Sequence, residues 1–280
     1  MCNAAKDISN NVKILGIEHM QDKIERWLRP PDPSTNYNKA LQQRHGGSGG
    51  WLLDSQVFAK WKTQRNSFLW LSGIPGCGKT ILSSAVIKHL DDIKSSQSLL
   101  YFYFDFNDTG KQTLESMVRS FGSQLYFKWE DTRTQLDSLF STCEDGRRQP
   151  TCELLCKTLL HMIQQVDEVW IILDALDECR TRRGNATEGL LSWMRNLLNS
   201  EHGNIHLIVT SRPEEDLESE ISEWEYNDGL VPIQGDPITA DIRAYVRTRI
   251  REDKGLKRWR SRPEVQDDIE TRLMEKADGM

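Results

Sequence analysis

The chain has 280 residues, with 36 basic against 42 acidic side chains for a net charge of −6, and it contains 9 tryptophans. With 38% hydrophobic and 28% charged residues it can bury a core and still carry much polar surface, which excludes disorder throughout. No stretch approaches the roughly 18 uninterrupted apolar residues of a membrane span, Met1 to Met20 lacks the basic head and apolar run of a leader, and the sparse cysteines read as reduced thiols of an intracellular, cytoplasmic chain.

In chain order, Ile17, Met20, Ile24, Trp27 and Leu28 recur at helical spacing, and Pro30-Pro31 ends that helix. The polar run STNYNKALQQRHGGSGG beyond Pro33 reads as a flexible linker. Trp51 to Asp54 reads as a short extended entry, and Val57, Phe58 and Trp61 mark one face of a short helix. Apolar runs at Phe68 to Ser72, Leu99 to Phe104, Val169 to Leu173, Ile205 to Thr210 and, more weakly, Leu230 to Ile233 predict buried strands. Between them Leu114, Met117, Val118, Phe121 and Leu125 form one helical stripe, and Leu190, Leu191, Met194, Leu197 and Leu198 another. Asp131 to Pro150 lacks periodicity and reads as a loop or an irregular helix. Thr239 is placed as the cap of a helix whose stripe is Ile238, Ile242, Tyr245, Val246 and Ile250, followed by a helical tail. The alternation predicts an α/β fold with a parallel five-stranded sheet and helices on both faces. Its expected division is an N-terminal helix and linker over 1–50, a compact core over 51–235 and a helical extension over 236–280.

Gly73-Ile74-Pro75-Gly76-Cys77-Gly78-Lys79-Thr80 fits G-x-x-x-x-G-K-[ST] and lies between a strand-like run and a helical one, the context a P-loop requires. Its glycines let successive N–H groups converge on phosphate at the positive end of the following helix. Lys79 is placed to reach the β- and γ-phosphates, and the Thr80 hydroxyl to serve Mg²⁺, which prefers oxygen ligands. Asp174 ends the run VWIILD, where a carboxylate emerges at the ligand-binding edge of an open α/β sheet, as in a Walker B strand. Asp177 and Glu178 follow, close enough for one to orient or deprotonate an attacking water; the bland reading of this acidic group is a solvated loop. Arg212, just past the run IHLIVTS, either senses a γ-phosphate or pairs with Glu214 or Glu215.

Taken together, GIPGCGKT, ILDALDE and IVTSRP resemble the NACHT NTPases, most nearly the nephrocystin-like NACHT domains of filamentous fungi. The segment from Arg26 to Trp61, and ITADIRAYV and KADGM downstream, extend the likeness from about Ile17 to the end. The resemblance implies a STAND-type signalling switch, closed with ADP and oligomerising with ATP, in an immunity-like or incompatibility response. ATP/ADP and Mg²⁺ would be its cofactors, hydrolysis slow, and its partners a second copy and unidentified sensor or effector proteins. On that likeness Lys79 and Thr80 bind phosphate and metal, Asp174 holds Mg²⁺, Asp177 and Glu178 support hydrolysis, and Arg212 is the sensor. Ala175 stands where many members carry glycine. The chain ends within KADGM, before a winged-helix region or repeats, and its first fifty residues hold no recognisable effector domain, so the resemblance implies a truncated product or fragment.

Two other classes compete with the switch. One is a nucleotide-gated assembly module that does not hydrolyse; the other is a phosphotransferase or AAA+-like remodelling ATPase, with which the P-loop alone is shared. Nine basic residues between Arg243 and Arg262 are read as a solvated helix face rather than a nucleic-acid surface, since no interleaved aromatics or known module accompany them. Cys152, Cys156, His161 and Cys143 fit no common zinc spacing. The sequons at Asn107 and Asn185 are chance matches. Trp51, Phe58 and Trp61 either pack in the core, the favoured reading, or line a base pocket.

Overall fold

The computed structural model describes residues 2–93, 98–201, 204–224, 226 and 229–276. In chain order the elements are α1 (Cys2–Leu28), α2 (Ser34–Gln43), α3 (Gly50–Leu53), α4 (Gln56–Thr63), β1 (Ser67–Ser72), α5 (Lys79–Asp92), β2 (Ser98–Tyr103), α6 (Leu114–Lys128), α7 (Arg133–Thr142), α8 (Cys152–Gln164), β3 (Glu168–Asp174), α9 (Leu190–Leu198), β4 (Asn204–Ser211), α10 (Glu215–Ser222), β5 (Leu230–Pro232), α11 (Asp236–Glu252) and α12 (Pro263–Lys276). The five strands form one parallel sheet in the order β2-β3-β4-β1-β5, with helices around it, as the alternation of apolar runs predicts. β1 pairs in parallel with β4 and β5, so Ser72 faces Ser211 on one side and Pro232 on the other. Parallel pairing therefore brings the carboxyl ends of these strands to one edge, and the loop leaving β1 starts there.

The chain folds into two compact units. The first comprises Met1–Pro33, Ser96–Trp170 and Cys179–Asn204. Here α1 ends at Leu28 and its last turn is embedded: Ile24, Trp27 and Leu28 are buried. The Trp27 indole N–H donates to the Arg148 carbonyl (2.8 Å), its ring meets Phe140 edge-on at 5.3 Å, and Arg119 donates to the Leu28 carbonyl (2.8 Å). The stripe read from Leu114 to Leu125 is the buried face of α6, and Thr113 caps that helix by accepting from the Ser116 N–H. The stretch 131–150 is more regular than its sequence suggests. It contains the helix α7, whose Leu136, Leu139 and Phe140 are buried on a stripe only two turns long.

The second unit comprises Ser34–Ser95, Ile171–Glu178 and Ile205–Met280. The run read as a linker contains α2, a polar helix that buries Ala40 and packs on α5. Trp51 to Asp54 is not extended either: α3 begins after Gly49, whose φ of +82° turns the chain, and Leu52 anchors it. α4 forms where its stripe predicts, with Ser55 as its cap; Phe58 and Trp61 stack at 5.2 Å and are buried, whereas Val57 is exposed. α11 is capped one turn earlier than Thr239. It starts after Gly235, with a proline in its first turn where no N–H partner is needed, and the Thr239 hydroxyl donates to the Gly235 carbonyl (3.1 Å). Most of KADGM lies outside the described residues.

Candidate functional site

Gly73 leaves β1 with its N–H on the Ser211 carbonyl (3.1 Å) and opens the loop that ends at α5. A Cβ at Gly73 would stand 2.5 Å from the Cys77 sulfur and 3.0 Å from Ile233, so only glycine lets the loop close over the thiol. Gly78 has a φ of +90° and precedes α5 without any side-chain cap, which leaves the first-turn N–H groups of this 14-residue helix to an external acceptor. Lys79 folds along the loop: its ammonium donates to the carbonyls of Gly73 (2.6 Å) and Ile74 (2.8 Å) and lies 3.8 Å from the Cys77 sulfur.

Asp174, the last residue of β3, is buried and receives three hydroxyl hydrogen bonds: Thr80 at 2.7 Å, Ser83 at 2.6 Å and Thr210 at 2.8 Å. Burial pushes its carboxyl above the usual carboxylate range, while these donors and the Lys79 charge oppose the shift. Thr80 and Asp174, 94 residues apart in sequence, thus lie side by side. Ser83 and Thr210 complete the set without any signal in the sequence, because a single hydroxyl at a helix turn or strand end is too common to stand out.

This site fits the magnesium ion and polyphosphate that the motif implies. The donors are all oxygen, the buried carboxylate carries charge that a cation would offset, and an ammonium and an uncapped helix start lie beside it.

Beyond Asp174 the chain turns through Ala175, whose φ of +59° is left-handed, and into a single 3-10 turn, Leu176–Glu178. The turn is held by the Ala175 N–H donating to the Thr210 hydroxyl (3.0 Å). Glycine adopts this conformation without the Cβ penalty, which is a physical reason for a glycine to stand here. Ala175→Gly is expected to stabilise the fold by about 1 kcal/mol, read as a raised denaturant midpoint at unchanged slope; a lowered midpoint would contradict it.

Arg212 stands just past β4, and its ion pair is with Asp177 rather than with Glu214 or Glu215. The Asp177 carboxylate accepts from the Arg212 backbone N–H (3.0 Å) and pairs with its Nε (3.2 Å). The Asp177 side chain is only 4% exposed, whereas that of Arg212 is 45% exposed. Nothing in the spacing of residues 35 apart reveals this pair.

Of the three aromatic residues weighed for a base pocket, Phe58 and Trp61 are core; the Trp61 indole N–H donates to the Leu207 carbonyl (3.2 Å). Trp51 alone borders the P-loop. A cavity of about 760 Å³ lies there, with Trp51, Gly78, Leu82, Ile238 and Tyr245 on its wall. Two contacts tie the stretch before α3 to α11: Asp241 accepts from the Gly49 N–H (2.7 Å), and His45 hydrogen-bonds the Thr248 hydroxyl (2.8 Å).

Among the described residues, no helix is long and apolar enough to cross a membrane. Compared with known proteins, the chain is 24% identical over 261 residues to vegetative incompatibility protein HET-E-1 of Podospora anserina, an alignment covering 84% of this chain and 18% of that protein. It therefore spans less than a fifth of the relative's length. The family described as nephrocystin 3, N-terminal, matches residues 47–212, a segment that runs from the glycines before α3 through the P-loop, Asp174 and Asp177 to Arg212. That match takes in more than half of the chain and bears out the nephrocystin-like resemblance of its motifs. The chain belongs to the nephrocystin 3, N-terminal, family.

Proposed function

We propose that this chain is a NACHT-type signalling switch that binds Mg·ATP at the P-loop and hydrolyses it slowly, with the nucleotide state governing conformation and self-association. The observation that carries the reading is the meeting of Thr80 and the buried Asp174 at 2.7 Å beside an uncapped helix start and the Lys79 ammonium. In this reading the α5 N–H groups and Lys79 bind the phosphates, Thr80 and Asp174 hold Mg²⁺, and the cavity beside Trp51 and Tyr245 receives the base. Bound magnesium would draw charge from the β- and γ-phosphate oxygens. Glu178, with Asp177 beside it, serves the hydrolytic side by orienting or deprotonating water, and Arg212 senses the γ-phosphate. The proposed parts are an N-terminal segment over 1–50, the nucleotide-binding core over 51–235 and a helical extension over 236–280, in a cytoplasmic protein. The similarity to a vegetative incompatibility protein supports an incompatibility-like response, with sensor or effector proteins as partners.

Single-turnover phosphate release tests the hydrolytic half. Glu178→Gln is expected to bind ATP as the parent chain does and to release phosphate about 100-fold more slowly, the range for losing a general base. Silence of the folded, ATP-loaded parent would instead favour a non-hydrolysing assembly module. Fast, substrate-stimulated turnover or phosphate transfer to something other than water would favour a remodelling ATPase or a phosphotransferase.

A further inference from the structure

Of the acidic pair after Asp174, Asp177 is committed to Arg212. Both oxygens of Asp177 engage Arg212, one at the backbone N–H and one at Nε, and the side chain is almost fully buried. An acid so engaged must break a charge-assisted pair before it can take a proton from water. Arg212, by contrast, is tied at its backbone and at Nε, while Nη1 and Nη2 make no hydrogen bond among the described residues. A guanidinium is a planar fork, so fixing Nε and the main chain fixes the direction of the two remaining nitrogens. That is the arrangement of a positioned cation with its anion-binding end left over.

A second strut runs beside the first. Two residues before Arg212, Thr210 donates to the Asp174 carboxylate (2.8 Å) and accepts from the Ala175 N–H (3.0 Å). Alternate residues leaving β4 are thus tied to the segment after β3 at two levels: Thr210 to Asp174 and Ala175, and Arg212 to Asp177. The carboxylate assigned to the metal and the cation assigned to the γ-phosphate are referenced to one short, left-handed turn at Ala175.

We infer that Asp177 is a positioning residue that sets Arg212 to read the γ-phosphate of ATP, so that Asp177 acts through Arg212. This inference rests on the nucleotide-binding reading of the same site. It makes the ATP-over-ADP preference of the protein depend on a carboxylate that touches neither nucleotide.

A double-mutant cycle on the full chain separates this role from that of a second base. Dissociation constants for fluorescent ATP and ADP analogues are measured for the parent, Asp177→Asn, Arg212→Ala and the double variant, each checked for folding by thermal melt. Arg212→Ala is expected to lower the ATP-over-ADP preference about tenfold, the scale of a lost charged hydrogen bond. Asp177→Asn is expected to lower it severalfold, and the double variant no further than Arg212→Ala alone, the signature of two groups acting as one. Losses that multiply, or an unchanged preference in Asp177→Asn, would overturn the inference. Should Asp177→Asn fail to fold, Arg212→Lys supplies the test, because an ammonium cannot form the Nε pair: it must then show the reduced preference despite keeping its charge, and an unchanged preference overturns the inference. A parent chain that bound neither analogue would remove the nucleotide reading itself, and the inference with it, whereas binding with multiplicative losses removes only the positioning role.

Discussion

Lys79→Ala is expected to weaken ATP binding about 100-fold or more, as measured by titration of a fluorescent ATP analogue, with the fold retained by thermal melt. The ammonium places a positive charge against the loop, and each charged hydrogen bond to phosphate is worth about 1.5–3 kcal/mol. Two such bonds account for the expected factor. The same ammonium also donates to the Gly73 and Ile74 carbonyls, so its removal takes an internal strut from the loop as well as the proposed phosphate ligand. Because the side chain is only partly buried, the strut's loss costs the fold little compared with the effect on binding. Unchanged ATP affinity in Lys79→Ala would show that the loop is not the phosphate site.

Asp174→Asn is expected to abolish the magnesium dependence of ATP binding while leaving the nucleotide-free protein as stable as its parent or more so. Asparagine can still accept from Ser83 and Thr210 through its carbonyl oxygen and can donate to the Thr80 hydroxyl, so the buried contacts of the carboxylate have a neutral substitute. The pH dependence gives the sign. Burial raises the folded-state pKa of Asp174 above its ordinary value of 3.8. Below both values the carboxyl is neutral in the folded and unfolded chains and contributes nothing to stability. As pH rises from the ordinary value to the raised one, the unfolded chain loses the proton first, and stability falls; above the raised value the penalty is complete. Parent and Asp174→Asn melting temperatures, compared across that window without nucleotide, should therefore diverge with rising pH, the variant losing less. Added Mg·ATP should stabilise the parent far more than the variant. A variant that kept full magnesium-dependent stabilisation would remove Asp174 from the metal site.

The parts of the fold legible in the sequence are those in which local pattern and tertiary environment agree. Strands β1 and β3 hold continuous apolar runs, and β4 one broken only by the buried His206, because each is buried in a parallel sheet, and α6 and α9 show full stripes because each spends one face on the core. Where burial is small, the pattern fades. α2 has only Ala40 buried and is held by packing on α5, so its polar sequence reads as a linker. α3 is a single turn set by the backbone of Gly49, which no periodicity can show.

The site divides in the same way. The motif proposed to bind phosphate is local in sequence, so GIPGCGKT stands out, and the proposal for Asp174 follows from its place at the end of an apolar strand. Pairing across strand ends is not local: Ser83 and Thr210 around Asp174, and Asp177 with Arg212, depend on which strands become neighbours in the order β2-β3-β4-β1-β5. Ala175 lies between the two cases. Its identity is plain in the sequence, but the reason for a small residue there is the left-handed turn that the fold imposes.

A nucleotide-loaded switch that retains its product is recognised by loading the purified chain with Mg·ATP, desalting it and identifying the retained nucleotide by chromatography, with Glu178→Gln in parallel. About one nucleotide per chain is expected, recovered as ADP from the parent and as ATP from Glu178→Gln. Recovery of ATP, or of no nucleotide, from folded parent protein would contradict it.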